Sequence, residues 1–124
     1  MQNIGFAIAG VLALVTFAVH TFVGQIYVVR PLLAVPNLTR ASRWLAFFCW
    51  HMVTVLLITM AGTFAYAAYA PEGRVLGMLF TAMAAVFSVL CVAVAIMGGI
   101  RPYRLPPAGL FALTAGAGAW GCWA

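Results

Sequence analysis

The stretch Val75 to Ile100, VLGMLFTAMAAVFSVLCVAVAIMGGI, runs for 26 residues without a charged side chain. A helix crossing the hydrocarbon core of a bilayer needs about 20 such residues, so this segment alone is long enough to span. The rest of the chain repeats the pattern. Further apolar runs extend over Ile4 to Tyr27, Ala41 to Tyr69 and Pro106 to Ala124. They are separated by the places where charge and proline gather: Arg30-Pro31, the turn Ala70-Pro71-Glu72-Gly73-Arg74, and Arg101-Pro102. Strands of a membrane barrel would alternate apolar and polar residues, and these runs do not. The sequence therefore predicts an all-α integral membrane protein. It is read as one domain, residues 1–124, forming a four-transmembrane-helix bundle of up-down-up-down topology with helices at about 4–27, 41–69, 75–100 and 106–124.

Composition agrees. Of 124 residues 67% are apolar and 6% charged, namely six arginines and Glu72, for a net charge of +5. A soluble domain carries about 25% charged residues; seven charged side chains cannot build a water-facing surface. Four spans use nearly the whole length, which excludes a large extramembrane enzyme or receptor head. The arginines are spread over three connections and never interleave with aromatics in a polar stretch, so nucleic acid is not an expected partner. Cys49, Cys91 and Cys122 are an odd set without CxxC spacing, and no disulfide framework is implied. No positive region precedes the first apolar run, so it is expected to remain as a helix rather than be cleaved.

Arginine counts set the orientation. Arg30, Arg40, Arg43, Arg101 and Arg104 fall in the first and third connections, whereas Arg74 alone, opposed by Glu72, falls in the second. By the positive-inside rule the five-arginine side is cytoplasmic, both termini face the outer, periplasmic side, and the location is a bacterial inner membrane crossed several times. Trp120 and Trp123 then sit in the outer aromatic belt, and Trp44, Tyr27 and Tyr103 in the inner one. Pro31 and Pro36 predict an irregular connection from Val28 to Arg40 that lies in the interface. Asn37-Leu38-Thr39 matches a glycosylation pattern on the cytoplasmic side, where it would not be used.

Helices in lipid associate through small residues and a few polar contacts, so small-residue stripes mark the interior. The first helix carries Gly5, Ala9, Ala13, Thr16, His20 and Gly24 on one face. The third carries Gly77, Thr81, Ala84, Ser88, Cys91, Ala95 and Gly98, which predicts a central third helix packed on the first or second. Ala108, Ala112 and Gly116, with Ala115 and Ala119, form the corresponding pairs on the fourth.

Two histidines lie deep in the spans. His20 and His51 are each roughly ten residues, about 15 Å, from the arginine-bearing end of their helices. His51 shares a face with Trp44, Phe47, Phe48, Thr54, Ile58 and Gly62. An ionisable group in hydrocarbon costs a few kcal/mol and marks a functional site with a partner. The plain alternative is an interhelical clasp, a neutral imidazole hydrogen-bonded to a hydroxyl or carbonyl. Three chemistries compete with it. His20 and His51, supported by Thr16, Thr54 and Ser88, could ligate haem b or a chlorin. His20, His51 and Cys91 could hold a transition metal, since imidazole and thiolate suit zinc or copper. Either histidine could bind a quinone or relay protons.

Hydrolysis is disfavoured, because the chain has no aspartate and Glu72 lies at the far end from both histidines. No phosphate loop, HExxH or CxxC element occurs. With almost no polar loop, the chain's resource is its lipid-facing and helix-facing surface. The expected function is that of a small helical subunit of a larger bacterial membrane complex, respiratory or photosynthetic in kind, assembling with other membrane subunits or with itself in the lipid bilayer and not an enzyme alone. The alternatives are a stand-alone redox or metal protein built on His20 and His51 and, third, a small transporter.

Overall fold

The computed structural model describes residues 2–124. It is all-helical among the described residues, with four long helices in chain order. The first runs unbroken over Ile4–Leu33, the second over Arg40–Tyr69, the third over Arg74–Met97 and the fourth over Pro106–Trp123. Three are long and apolar enough to cross a membrane: Ile4–Leu33, Arg40–Tyr69, and Pro71–Met97 with its opening 3-10 turn. The 18 residues of the fourth cover about 27 Å at 1.5 Å per residue, and its apolar character comes from alanine and glycine rather than large aliphatics.

Local chemistry sets the ends. The Asn3 side chain accepts from the Phe6 N–H at 3.1 Å, and Thr39 accepts from Ser42 N–H at 3.2 Å; each caps a helix start. The third helix stops at Gly98-Gly99, where Gly99 adopts φ of 68°, a left-handed conformation that glycine enters freely. Pro106 and Pro107 occupy the first turn of the fourth, where missing N–H donors do no harm.

The irregular segment expected from Val28 to Arg40 is shorter than its prolines suggest. The first helix continues through Arg30-Pro31 to Leu33, so only residues 34–39 connect it to the second. A proline inside a helix loses the bond to residue i−4 and crowds that carbonyl. Here two π-helical stretches, Val19–Val23 and Gln25–Val29, precede it and widen the hydrogen-bond ladder, which relieves the clash without a break. The short connection is then tied down by Arg43, whose guanidinium donates to the Val35 carbonyl at 2.6 Å.

Sequential helices run antiparallel. Along the first pair Gly10 lies beside Phe64 while His20 lies beside Trp50. The first helix packs extensively on both the second and the fourth, and the third packs chiefly on the fourth; the second and third meet over a smaller area. The third helix is therefore not the central one. Its small face is turned inward as expected, with Gly77, Ala84 and Ala95 buried; Gly77 has the expected partners on the first and second helices, but further along the partner is the fourth. Gly77 meets Phe6 and Ala67, whereas Thr81 abuts Gly118 and the Ser88 hydroxyl donates to the Ala108 carbonyl at 2.8 Å. On the fourth helix the expected Ala112 and Gly116 are exposed, and the buried face is Ala108, Phe111, Thr114, Gly118 and Gly121. Thr81 and Phe6 select that face because only glycine leaves room for them.

The tight end of the bundle lies around Asn3. Its backbone N–H donates to the Ala68 carbonyl and its side-chain amide to the Gly121 carbonyl, both at 2.8 Å, which joins three helices. Phe6 and Phe64, fully buried, pack above this knot with ring centroids 6.1 Å apart. Leu57, Met60, Ala9 and Ala13 extend the core toward mid-bundle. Beyond Thr16 the packing opens.

Candidate functional site

The opening is a cleft of about 590 Å³ at the arginine-bearing end of the bundle. The first helix contributes Thr16, His20, Gly24 and Tyr27, the second Trp50 and Leu57, the third Cys91, and the start of the fourth Arg104, Pro106 and Phe111. Its walls are overwhelmingly apolar, and its size is that of sites for small organic ligands, which span roughly 300–1,000 Å³.

His20 is fixed in this wall by the second helix. Its ring lies over the indole of Trp50, centroids 4.0 Å apart and planes inclined by 16°. Nε2 is 3.1 Å from the Trp50 carbonyl and 3.1 Å from the Thr54 hydroxyl oxygen. A carbonyl can only accept, so Nε2 carries the proton and donates. Thr54 donates its own O–H to the same carbonyl at 3.3 Å, which holds the hydroxyl oxygen in place as a second acceptor. Nδ1, left as the lone-pair nitrogen, has no hydrogen-bond partner among the described residues.

Two backbone features make this arrangement possible. Gly24 is one: a Cβ there would stand 2.7 Å from Cη2 of Trp50, so only glycine lets the indole lie against the first helix. The other is the π-helical stretch Val19–Val23, which contains His20 itself. Isolated π turns are rare and recur at functional sites. Beside it the Thr21 hydroxyl is buried without a partner.

The remaining candidate residues separate. His51 does not share the cleft; it is exposed on the outer side of the second helix, edge-on to Phe47 at 4.5 Å. The inward face of that helix is Trp50, Thr54, Leu57, Ala61 and Phe64, one residue round from the face expected. Its turn is dictated by the small stripe of the first helix, where Gly10 accommodates Phe64 and Gly24 accommodates Trp50. Cys91 reaches the cleft, yet among the described residues no three His, Cys, Asp or Glu side chains converge to hold a metal. Thr16 lines the cleft with its hydroxyl donating to the Leu12 carbonyl at 2.8 Å. Ser88 clasps the third helix to the fourth instead. With Nε2 engaged by Trp50 and Thr54, axial ligation of haem or chlorin through that nitrogen would require the ring to leave both partners.

Trp50 is the site residue that sequence reasoning passed over; Gly24 was expected on the His20 face, but not as the seat of this indole. Their signal was present: His20 and Gly24 stand four apart on one helix, and Trp50 and Thr54 four apart on the next, so each pair shares a face. Arg104, at the cleft mouth, makes no side-chain hydrogen bond or ion pair among the described residues; the sole acidic side chain, Glu72, belongs to the turn at the other end. Searched against protein-family models, curated proteins and solved structures, the chain has no match.

Proposed function

We propose that the chain is a small helical subunit of a larger membrane assembly, and that it crosses a bacterial inner membrane four times with both termini on the outer side. Support for the crossing comes from the three long apolar helices and from the placement of five arginines in the first and third connections. The fourth helix, though short, comes within about 3 Å of the hydrocarbon thickness of about 30 Å.

The observation that carries the assembly role is His51. It stands about 16 Å along the second helix from Arg40, at a depth where hydrocarbon would surround it. Its outward neighbours Trp44, Phe48 and Met52 are more than half exposed. No hydrogen-bond partner on this chain reaches it among the described residues. An imidazole facing lipid there is costly, whereas against a neighbouring protein helix it gains a polar partner and the aromatics around it gain packing.

A photo-crosslinking residue in place of Phe48 tests this in native membranes, with one in place of Val89, exposed on the third helix, as reference. The Phe48 probe is expected to give a discrete protein adduct and the Val89 probe lipid adducts. Lipid adducts alone from Phe48 would overturn the assignment.

A further inference from the structure

We infer that the His20 cleft is a binding site for a prenylated or alkylated benzoquinol, and that it prefers the reduced, hydroxyl-bearing form over the quinone. The inference is independent of the subunit role, which rests on the opposite face of the second helix.

The cleft presents two unsatisfied polar groups on otherwise apolar walls. One belongs to His20, a residue of the cleft wall, whose Nδ1 has no hydrogen-bond partner among the described residues. Because Nε2–H is committed to the Trp50 carbonyl and to Thr54, Nδ1 is an acceptor, and the stack on Trp50 keeps the ring from turning to exchange the two nitrogens. At the mouth is the guanidinium of Arg104, a permanent donor with no hydrogen-bond or ion-pair partner among the described residues. Tyr27, which lines the same mouth, lies seven residues beyond His20, about 10 Å along the helix. An acceptor on His20 and donors on Tyr27 and Arg104 along the same cleft would bracket a ring with oxygens at its two ends.

A quinol supplies what each group lacks. One hydroxyl donates to Nδ1, and the opposite hydroxyl oxygen accepts from Arg104 or Tyr27. The aromatic ring lies between the Trp50 wall and the Phe111, Pro106 and Pro107 wall, and the chain follows apolar surface. A quinone has only acceptors, so its inner oxygen would face the lone pair of Nδ1 with no hydrogen between them. A buried acceptor left facing an acceptor is disfavoured. That asymmetry is the basis of the preference.

The test uses the purified full chain in lipid nanodiscs under anaerobic conditions. A benzoquinol with a ten-carbon chain, the corresponding quinone, and decanoate are titrated separately by calorimetry. Saturable quinol binding is expected, at least about tenfold tighter than quinone, with decanoate not competing. His20→Phe retains a ring to stack on Trp50 and should make quinol and quinone bind equally. Arg104→Gln should weaken both forms, and Leu110→Trp, which fills the cleft, should abolish binding. Helical content and melting temperature of each variant confirm that it is folded; Arg104→Gln, at an exposed position, serves if the others are not. Equal affinities in the unaltered protein, an unchanged preference in folded His20→Phe, or tighter binding of decanoate would each overturn the inference.

Discussion

His20 and Trp50, thirty residues apart in sequence, form one flat unit in which imidazole and indole overlap at 4.0 Å and the imidazole Nε2 donates to the carbonyl of the same tryptophan. The unit fixes which nitrogen of the histidine is free and holds open the wall of the cleft. It depends on close approach of the first helix at Gly24.

Gly24→Ala should accordingly be disruptive although alanine is the better helix former. The added Cβ would overlap the indole edge, and Trp50 cannot retreat without breaking its stack on His20. Overpacking of this kind costs about 1–3 kcal/mol. Gly109→Ala and Gly116→Ala, where nothing lies within 4 Å of the new Cβ, should be neutral or stabilising by up to about 1 kcal/mol. Thermal unfolding in detergent separates the two classes, and tryptophan emission should shift in Gly24→Ala alone.

Asn3 performs two tasks that substitutions can divide. Its side-chain oxygen caps the first helix through Phe6 N–H, and its amide nitrogen donates to Gly121 on the fourth. Asn3→Asp keeps the cap and loses the donor; Asn3→Ala loses both. A cap is worth about 1 kcal/mol and an interhelical hydrogen bond in a membrane bundle about 0.6. Asn3→Ala is expected to lower stability more than Asn3→Asp by about the value of the cap. Equal losses would mean that the interhelical bond alone matters.

How much of this was legible beforehand differs between levels. Charge-free runs and Pro/Gly breaks gave the helix bounds to within about three residues, except for the first helix, which runs through Arg30-Pro31 to Leu33, because span length and turn chemistry are local properties. The first-helix stripe was also readable, and Gly5, Ala9, Ala13 and Thr16 are all buried. The rotation of the second helix was not. Its outward side is as aromatic as its inward side, so hydropathy does not distinguish them, and His51 was assigned inward in place of its neighbour Trp50. What decides is shape: glycines on the first helix receive Trp50 and Phe64. A glycine's partner is a pairwise fact that one helix's pattern does not contain. The π turns at Val19–Val23 and Gln25–Val29 carry no signature in the residue pattern of the first helix alone.

The third and fourth helices are joined by Ser88 and by the seat of Thr81 on Gly118. Ser88→Ala removes one hydroxyl donor and should cost about 0.6 kcal/mol. Ala84 is fully buried, so Ala84→Leu should cost about 1–3 kcal/mol by overpacking. The order of the two, read from melting temperatures, checks that the third helix turns this face inward. A Val89→Leu change on its exposed side should be silent.

The proposed orientation can be decided by labelling single cysteines in a background with Cys49, Cys91 and Cys122 replaced by alanine. Gly73, at the centre of the second connection, is unsuitable, because a side chain there would press on Tyr66 and Ala67. Glu72 and Tyr103 are both exposed, one in the single-arginine turn and the other between Arg101 and Arg104. The positive-inside rule weighs arginines in short connections and gives little weight to Glu72, so the comparison is five against one. Glu72→Cys is expected to react with a membrane-impermeant maleimide applied outside, and Tyr103→Cys only after the membrane is opened. Reaction of both from outside would mean that the third helix, which lies between them, does not cross the bilayer, and the reverse pattern would invert the protein. If the expected pattern holds, the cleft mouth at Arg104 opens at the cytoplasmic face, and a ligand leaving by it would meet the cytoplasmic interface.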